Sequence, residues 1–112
     1  MISQFERQLK KGIFEMLVLT LLSRTKMYGY QIIQELKMES DEFFVLKEGT
    51  LYPILYRLEE NGFAKSQWVE PEDGKTPKKY YEITPLGKER LALQKNYWSV
   101  FTKKIDGFMK ED

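Results

Sequence analysis

The 112-residue chain contains no cysteine and no histidine. Without thiols there is no disulfide, no thiolate metal site and no cysteine nucleophile. Without imidazole the commonest general base and the commonest transition-metal ligand are missing, which excludes serine–histidine triads and histidine-containing zinc sites. An excess of one charge is also lacking: the formal net charge is +1. Any contact with nucleic acid must therefore come from a local patch rather than a global field. Long apolar runs are missing too. The longest, "IFEMLVLTLL", falls well short of the roughly 20 residues that a membrane span requires. The N-terminal "MISQFERQLKKG" lacks the apolar core of a signal peptide. These absences predict a soluble, cytoplasmic chain with no membrane association, no metal and no cofactor. Glu59–Glu60 and Asp41–Glu42 are paired carboxylates, but neighbours on a helix diverge and no nucleophile or electrophile accompanies them. The chain is not expected to be an enzyme.

The residues that are present suit a small core. Hydrophobic residues make up 42% of the chain and aromatics 14%. The length fits a single domain, and one small enough to gain from a partner subunit. Residues 5–23 read as a first helix. One stripe carries Phe5, Leu9, Ile13, Met16, Leu17 and Thr20, while Phe14, Val18, Leu19, Leu21 and Leu22 extend the apolar surface around much of the circumference. A helix apolar on nearly all sides is usually covered on more than one. "SRTKMYG" closes it, "GYQIIQELKME" forms a second helix with Ile32, Ile33 and Leu36 inward, and "ESDE" breaks the pattern before the short apolar linker "FFVL".

The stretch "KEGTLYPILYRLEENGF", residues 47–63, carries the main functional signal. Leu51, Ile54, Leu55 and Leu58 recur at helical spacing and face a core. The opposite face holds Gly49, Tyr52, Pro53, Tyr56, Arg57 and Glu60, where an ordinary solvated face would be mostly Lys, Glu and Gln. Two starts are open. Thr50 as N-cap puts Pro53 in the first turn, where its missing N–H costs little; a start near Glu48 places Pro53 deeper and kinks the helix.

After "ENG" the period changes. "FAKSQWVE" alternates, "PEDGKTP" is turn chemistry, and "KKYYEI" resumes a strand, giving a β-hairpin with a long loop. In "KKYYEI" one of the adjacent Tyr80 and Tyr81 must face the core. Thr84–Pro85 then forms an N-cap and first helical position, opening a last helix that runs almost to the C-terminus.

Three helices, a hairpin and a further helix predict a mainly α (α+β) fold: a winged helix-turn-helix with an additional C-terminal dimerisation helix. Residues 1–84 would be the DNA-binding domain and residues 85–112 the dimerisation helix. Tyr52 and Tyr56 hydroxyls suit phosphate oxygens, and Arg57 suits phosphates or guanine edges. Gly49 and Pro53 keep the approach slim. Lys75, Lys78 and Lys79 at the wing tip and returning strand suit backbone phosphates. A Tyr-Arg helix face alone, or three loop lysines alone, is more often packing or solvated surface. Their joint placement on the two elements that a winged helix presents to DNA favours duplex DNA as partner. A winged-helix protein-interaction module without DNA binding is the alternative.

The stretches "GYQIIQEL", "EGTLYPILYRLEENGF" and "KKYYEITPLGKERL" together resemble the PadR family of transcriptional regulators, over residues 8–92. The single short C-terminal helix resembles the family's small subgroup, whose members are homodimers. The resemblance implies sequence-specific DNA binding, usually repression that a small molecule relieves. It implies roles for Gly49, Thr50, Tyr52 and Arg57 in or beside the DNA-contacting helix, and for Lys78 and Lys79 on the wing. Three positions depart from the pattern: Lys47 replaces a small capping residue, Lys78 and Lys79 stand where arginine is frequent, and Glu82 where a basic residue is common.

In the last helix Leu91, Trp98 and Ile105 are spaced seven apart, and Gln94, Phe101 and Phe108 form a second such series. This heptad seam calls for a second copy about a two-fold axis. Phe14 and Val18 of the first helix would help cradle the partner's last helix; the alternative is that the seam folds back on its own domain. A homodimer implies an inverted-repeat operator. Gln94 is polar where the seam calls for Leu, and Trp98 would meet its mate near the axis, leaving a gap lined by Tyr97 and Phe101. Such a gap suits a planar aromatic, including cationic, effector, and some members of the small subgroup enclose planar compounds between their final helices. Trp98 as a plain packed anchor is the competing reading.

Overall fold

A computed structural model describes residues 4–110. The elements in order are α1 (Gln4–Arg24), β1 (Met27–Tyr28), α2 (Gly29–Glu39), α3 (Glu48–Glu60), β2 (Ala64–Val69), β3 (Lys78–Ile83) and α4 (Pro85–Met109). The three strands form one antiparallel sheet in the order β1-β3-β2. This is a winged helix with an additional C-terminal helix. The two-residue β1 is new relative to the sequence reading: it pairs Met27 with Tyr81 and Tyr28 with Tyr80, joining the start of the helix-turn-helix to the returning strand of the wing.

The core is assembled from one face of each helix. Leu51, Ile54, Leu55 and Leu58 of α3 are buried, as their spacing predicts, together with Ile32 and Leu36 of α2 and Leu46 of the connecting segment. On α1 the faces are the reverse of the simplest reading. Phe14, Val18, Leu21 and Leu22, at helical spacing, are buried with Leu19, whereas Phe5 and Leu9 of the first stripe are exposed. Phe14 and Val18 therefore pack inside their own subunit, Phe14 edge-on to Phe44 at 6.1 Å between centroids. Leu91 is buried in the same core. All three are removed from the expected intersubunit seam, because the chain's own core already surrounds them.

Helix starts follow local chemistry to different degrees. At α4, Thr84 Oγ1 accepts from Gly87 N (3.0 Å) and donates to Gly62 O (2.6 Å), with Pro85 at the first helical position. At α3 no side chain caps the helix: Lys47 supplies only its carbonyl, to Thr50 N and Leu51 N. Of the two starts considered, the helix takes Glu48, and Pro53 lies within it. Its missing N–H leaves the Gly49 carbonyl without its helical donor, on an exposed face where water can replace it.

The segment between α2 and α3 is unusually constrained. Asp41 and Glu42 both adopt positive φ, 51° and 66°, uncommon for residues with a side chain. Ser40 Oγ holds the turn by donating to Leu36 O (2.7 Å) and accepting from Phe44 N (2.9 Å). Lys10 of α1 reaches across to donate to Phe43 O (2.7 Å), its ammonium 4.3 Å from the Phe43 ring centroid. Beyond Leu91, α4 has no buried residue among those described. A 25-residue helix is about 37 Å long at 1.5 Å per residue. The molecule measures 62 × 35 × 21 Å, with a radius of gyration of 16.0 Å against about 13 Å for a compact chain of this length. The far half of α4 projects from the body.

Candidate nucleic-acid interface

The outer face of α3 carries Gly49, Thr50, Tyr56 and Arg57 exposed, while Tyr52 is half-buried. Tyr52 leans on α2: a Cβ built at Gly29 would lie 2.6 Å from the Tyr52 hydroxyl. Only glycine leaves room for that seat. The Tyr52 and Tyr56 rings lie 6.3 Å apart at 36°, so the two phenols form one surface along the helix. Helical spacing alone makes Tyr52 a free outer residue. It also rests against the start of α2 at Gly29.

The wing meets α3 through its inner face. Tyr81 of β3 is 1% exposed, so of the adjacent tyrosines it is the one in the core. Its phenol is pushed up to about 12, first by burial and then by the Glu59 carboxylate and the phenols of Tyr56 and Tyr52. Ser66 of β2, directly across from Tyr81, donates to Glu59 Oε2 (2.5 Å). Tyr80 points to the other face and meets Tyr28 edge-on, centroids 5.3 Å apart.

The three wing lysines are not equivalent. Lys75 Nζ lies 3.6 Å from Asp73 Oδ2 in the turn. Lys78 Nζ rests 5.3 Å from the Tyr28 ring centroid, and Lys79 Nζ lies 5.5 Å from that of Tyr81. As neighbours on a strand, Lys78 and Lys79 project from opposite faces of the hairpin.

A separate groove of about 740 Å³ runs between α1 and α4. Gln94, Tyr97, Trp98 and Phe101, singled out from the sequence, all line it, opposite Leu9, Ile13 and Met16 of α1. Tyr97 and Phe101 stack at 5.9 Å and 24°; Trp98 and Phe101 lie 6.1 Å apart at 32°. Gln94 Oε1 is buried without a hydrogen-bond partner, a costly arrangement unless something supplies a donor. Ile105 lies at the groove's end, and Phe108 is 93% exposed beyond it. Sequence reasoning missed Gly29 as the seat of Tyr52 and Tyr28 as a support for the wing. Neither could be found by periodicity: Tyr28 lies in a two-residue strand, which has none, and Gly29 is the first residue of α2.

No group of three or more acidic, cysteine or histidine side chains suited to a metal ion occurs among the described residues. No helix among them is long and apolar enough to cross a membrane.

Known proteins share this architecture. Residues 18–93 match the model of the transcriptional regulator PadR-like family. An uncharacterised protein from Lysinibacillus sphaericus is 34% identical over 100 residues, covering 89% of this chain and 91% of its own. The structure of a transcriptional regulator from Clostridium thermocellum superposes with a TM-score of 0.84 at 34% identity, covering 92% of this chain and 99% of that one. A PadR family transcriptional regulator from Eggerthella lenta gives 0.81 at 30% identity, covering 94% and 88%. The matched residues take in α2, the outer face of α3, the whole wing and the start of α4, which are the elements assembled above; the chain belongs to the PadR-like family of transcriptional regulators, DNA-binding proteins rather than enzymes.

Proposed function

We propose that the chain is a homodimeric, cytoplasmic repressor that binds an inverted-repeat operator and is released when a planar aromatic compound enters the α1–α4 groove. Residues 1–84 read DNA: Gly49, Thr50, Tyr52, Tyr56 and Arg57 approach the major groove, while Lys75, Lys78 and Lys79 bind flanking phosphates. Residues 85–112 join the subunits through Trp98, Phe101, Ile105 and Phe108.

The observation that carries this reading is the exposed apolar face of α4 along and beyond its groove with α1. Leu93, Tyr97, Trp98, Val100, Phe101, Ile105 and Phe108 are each at least 40% exposed on one projecting helix. An apolar surface of that extent on a soluble chain marks an interface, and a second copy meets it with the same heptad series. The unpartnered Gln94 Oε1 beside three aromatic rings supports a ligand with a flat face and a donor.

Selection of bound sites from random duplex DNA tests the first half. The expected motif is palindromic, with half-sites about one helical turn, or a multiple of it, centre to centre. Titration of a Trp68→Phe variant with planar dyes tests the second, because Trp98 is then the sole tryptophan. Saturable quenching of that variant, with loss of operator binding by the parent chain at the same dye concentrations, is the expected result. A dimer that no dye quenches saturably makes the groove a structural clasp.

A further inference from the structure

We propose that Trp68 is a DNA-backbone contact of the wing, its indole lying against a deoxyribose and donating its N–H to the adjoining phosphate. This rests on the DNA-binding role of α3 and the wing set out above.

Strand register sets which side chains share a face of the wing. Three cross-strand pairs share the face of the hairpin turned towards α3: Ala64 with Ile83, Ser66 with Tyr81, and Trp68 with Lys79. Exposure rises along this row. Ala64, Ile83 and Tyr81 are buried, Ser66 is half-buried on Glu59, and Trp68 is 65% exposed. Trp68 therefore has the orientation of a core residue at the point where the core has ended. An isolated exposed aromatic needs no explanation; the surroundings of this one give it a meaning. Its cross-strand partner is a lysine whose ammonium rests over the ring of Tyr81. Tyr81 in turn lies within electrostatic reach of Tyr52 and Tyr56 on α3. The indole and an ammonium thus form a bank on the hairpin face that carries the buried Tyr81.

The chemistry of that bank fits one partner. An indole offers a broad apolar face and a single N–H donor, with no acceptor. A nucleic-acid strand offers the C–H surface of a sugar, an anionic oxygen beside it and no donor of its own at the phosphate. Lys79 supplies the compensating charge. The wing turn carries acidic side chains of its own, Asp73 beside Lys75 at 3.6 Å and Glu70 and Glu72 exposed, whereas the nearby strand and helix carboxylates are engaged. Glu82 points to the other face, paired with Lys65 at 3.2 Å, and Glu59 accepts from Ser66.

The test uses the full chain labelled with 5-fluorotryptophan, whose two tryptophans give two fluorine resonances, with Trp68→Phe assigning one. The probe is duplex DNA of random sequence at low salt, where non-specific binding is strong. On saturation the Trp68 resonance should move and lose most of its light-to-heavy-water isotope shift. Trp68→Ala should weaken duplex binding about tenfold while leaving the salt slope unchanged, because the indole carries no charge. A Trp68 resonance that keeps its full solvent shift, in a sample whose duplex is bound by mobility shift, overturns the inference and leaves the DNA reading intact. If the parent chain binds no duplex at low salt, the inference falls together with that reading. Solvent protection that appears with rising protein concentration in the absence of DNA assigns the indole to a protein contact, which also overturns it.

Discussion

Helices α3 and α4 are both amphipathic, yet they end in opposite conditions. In α3 the four aliphatic residues Leu51, Ile54, Leu55 and Leu58 are all buried, none more than 4% exposed, and the outer face is left to tyrosine, arginine and glycine. In α4 only Gly87 and Leu91 are buried, and a longer apolar series from Leu93 to Met109 stays open. The difference separates the two jobs that apolar surface performs in this molecule. In α3 it fixes the helix to its own body so that the opposite face can be presented rigidly. In α4 it is left exposed, where the proposed second copy would cover it. Mutations that look alike on paper should therefore break different things. Phe101→Glu with Ile105→Glu places charge in the proposed seam, at a cost of several kcal/mol per interface. Both sites are more than 40% exposed in the single chain, so the new carboxylates can reach water once the subunits part. The expected product is a folded monomer without operator affinity. Sedimentation showing an intact dimer would move the interface elsewhere. Leu55→Ala is the counterpart on α3. It should cost about 2–5 kcal/mol of stability and lower the thermal midpoint of the body without changing the intersubunit seam.

Gly29 sharpens the same contrast at smaller scale, because it governs how α3 sits rather than whether it folds. An alanine methyl there must displace the Tyr52 hydroxyl from 2.6 Å, and a ring end can swing away at moderate cost. Gly29→Ala should reduce specific operator affinity by about tenfold, or about 1.4 kcal/mol, with little change in non-specific binding. Tyr52→Phe removes the hydroxyl that Gly29 makes room for, so adding it to Gly29→Ala should recover part of the missing stability. A double variant no more stable than Gly29→Ala would mean that the clash lies elsewhere.

How far the sequence foretold this molecule depended on whether each feature was written locally. The start of α4 was legible because Thr84 and Pro85 are themselves the cap and the first turn. The inward face of α3 was legible because its four aliphatics leave no second arc to compete. The first helix was not. Its wheel is apolar on nearly all sides, and only the tertiary arrangement shows that the arc of Phe14, Val18, Leu21 and Leu22 turns inward while Phe5 and Leu9 turn out. Leu91 misled for a related reason: it continues the heptad numerically but sits where α4 is still within the body. The start of α3 rests on the Lys47 carbonyl rather than on a side chain, so no residue type advertised it. Of the candidate site, the shared helix face of Gln94, Tyr97, Trp98 and Phe101 was legible from spacing; that α1 of the same chain, rather than a second α4, lines the other side of their groove was not, nor were the unequal settings of the wing lysines.

Those lysines carry the smallest effects and the finest test of the wing. Removing one ammonium–phosphate pairing from a duplex complex flattens the plot of log affinity against log salt by about 0.9. If every lysine contributed alike, the three single alanine variants would be indistinguishable. The settings say otherwise. Lys75 sits 3.6 Å from the Asp73 carboxylate, and that pair must open before the ammonium can serve a phosphate. Lys78 and Lys79 lie over tyrosine rings, which orient an ammonium without neutralising it. Lys78→Ala and Lys79→Ala should each flatten the slope by about one unit, and Lys75→Ala by much less. Asp73→Ala should do the reverse: with its partner gone, Lys75 becomes available and the slope steepens, provided the turn survives removal of the 3.2 Å bond from Lys75 N to Asp73 Oδ1. A triple lysine variant with the parent's slope would take the wing out of DNA binding altogether and leave α3 to act alone.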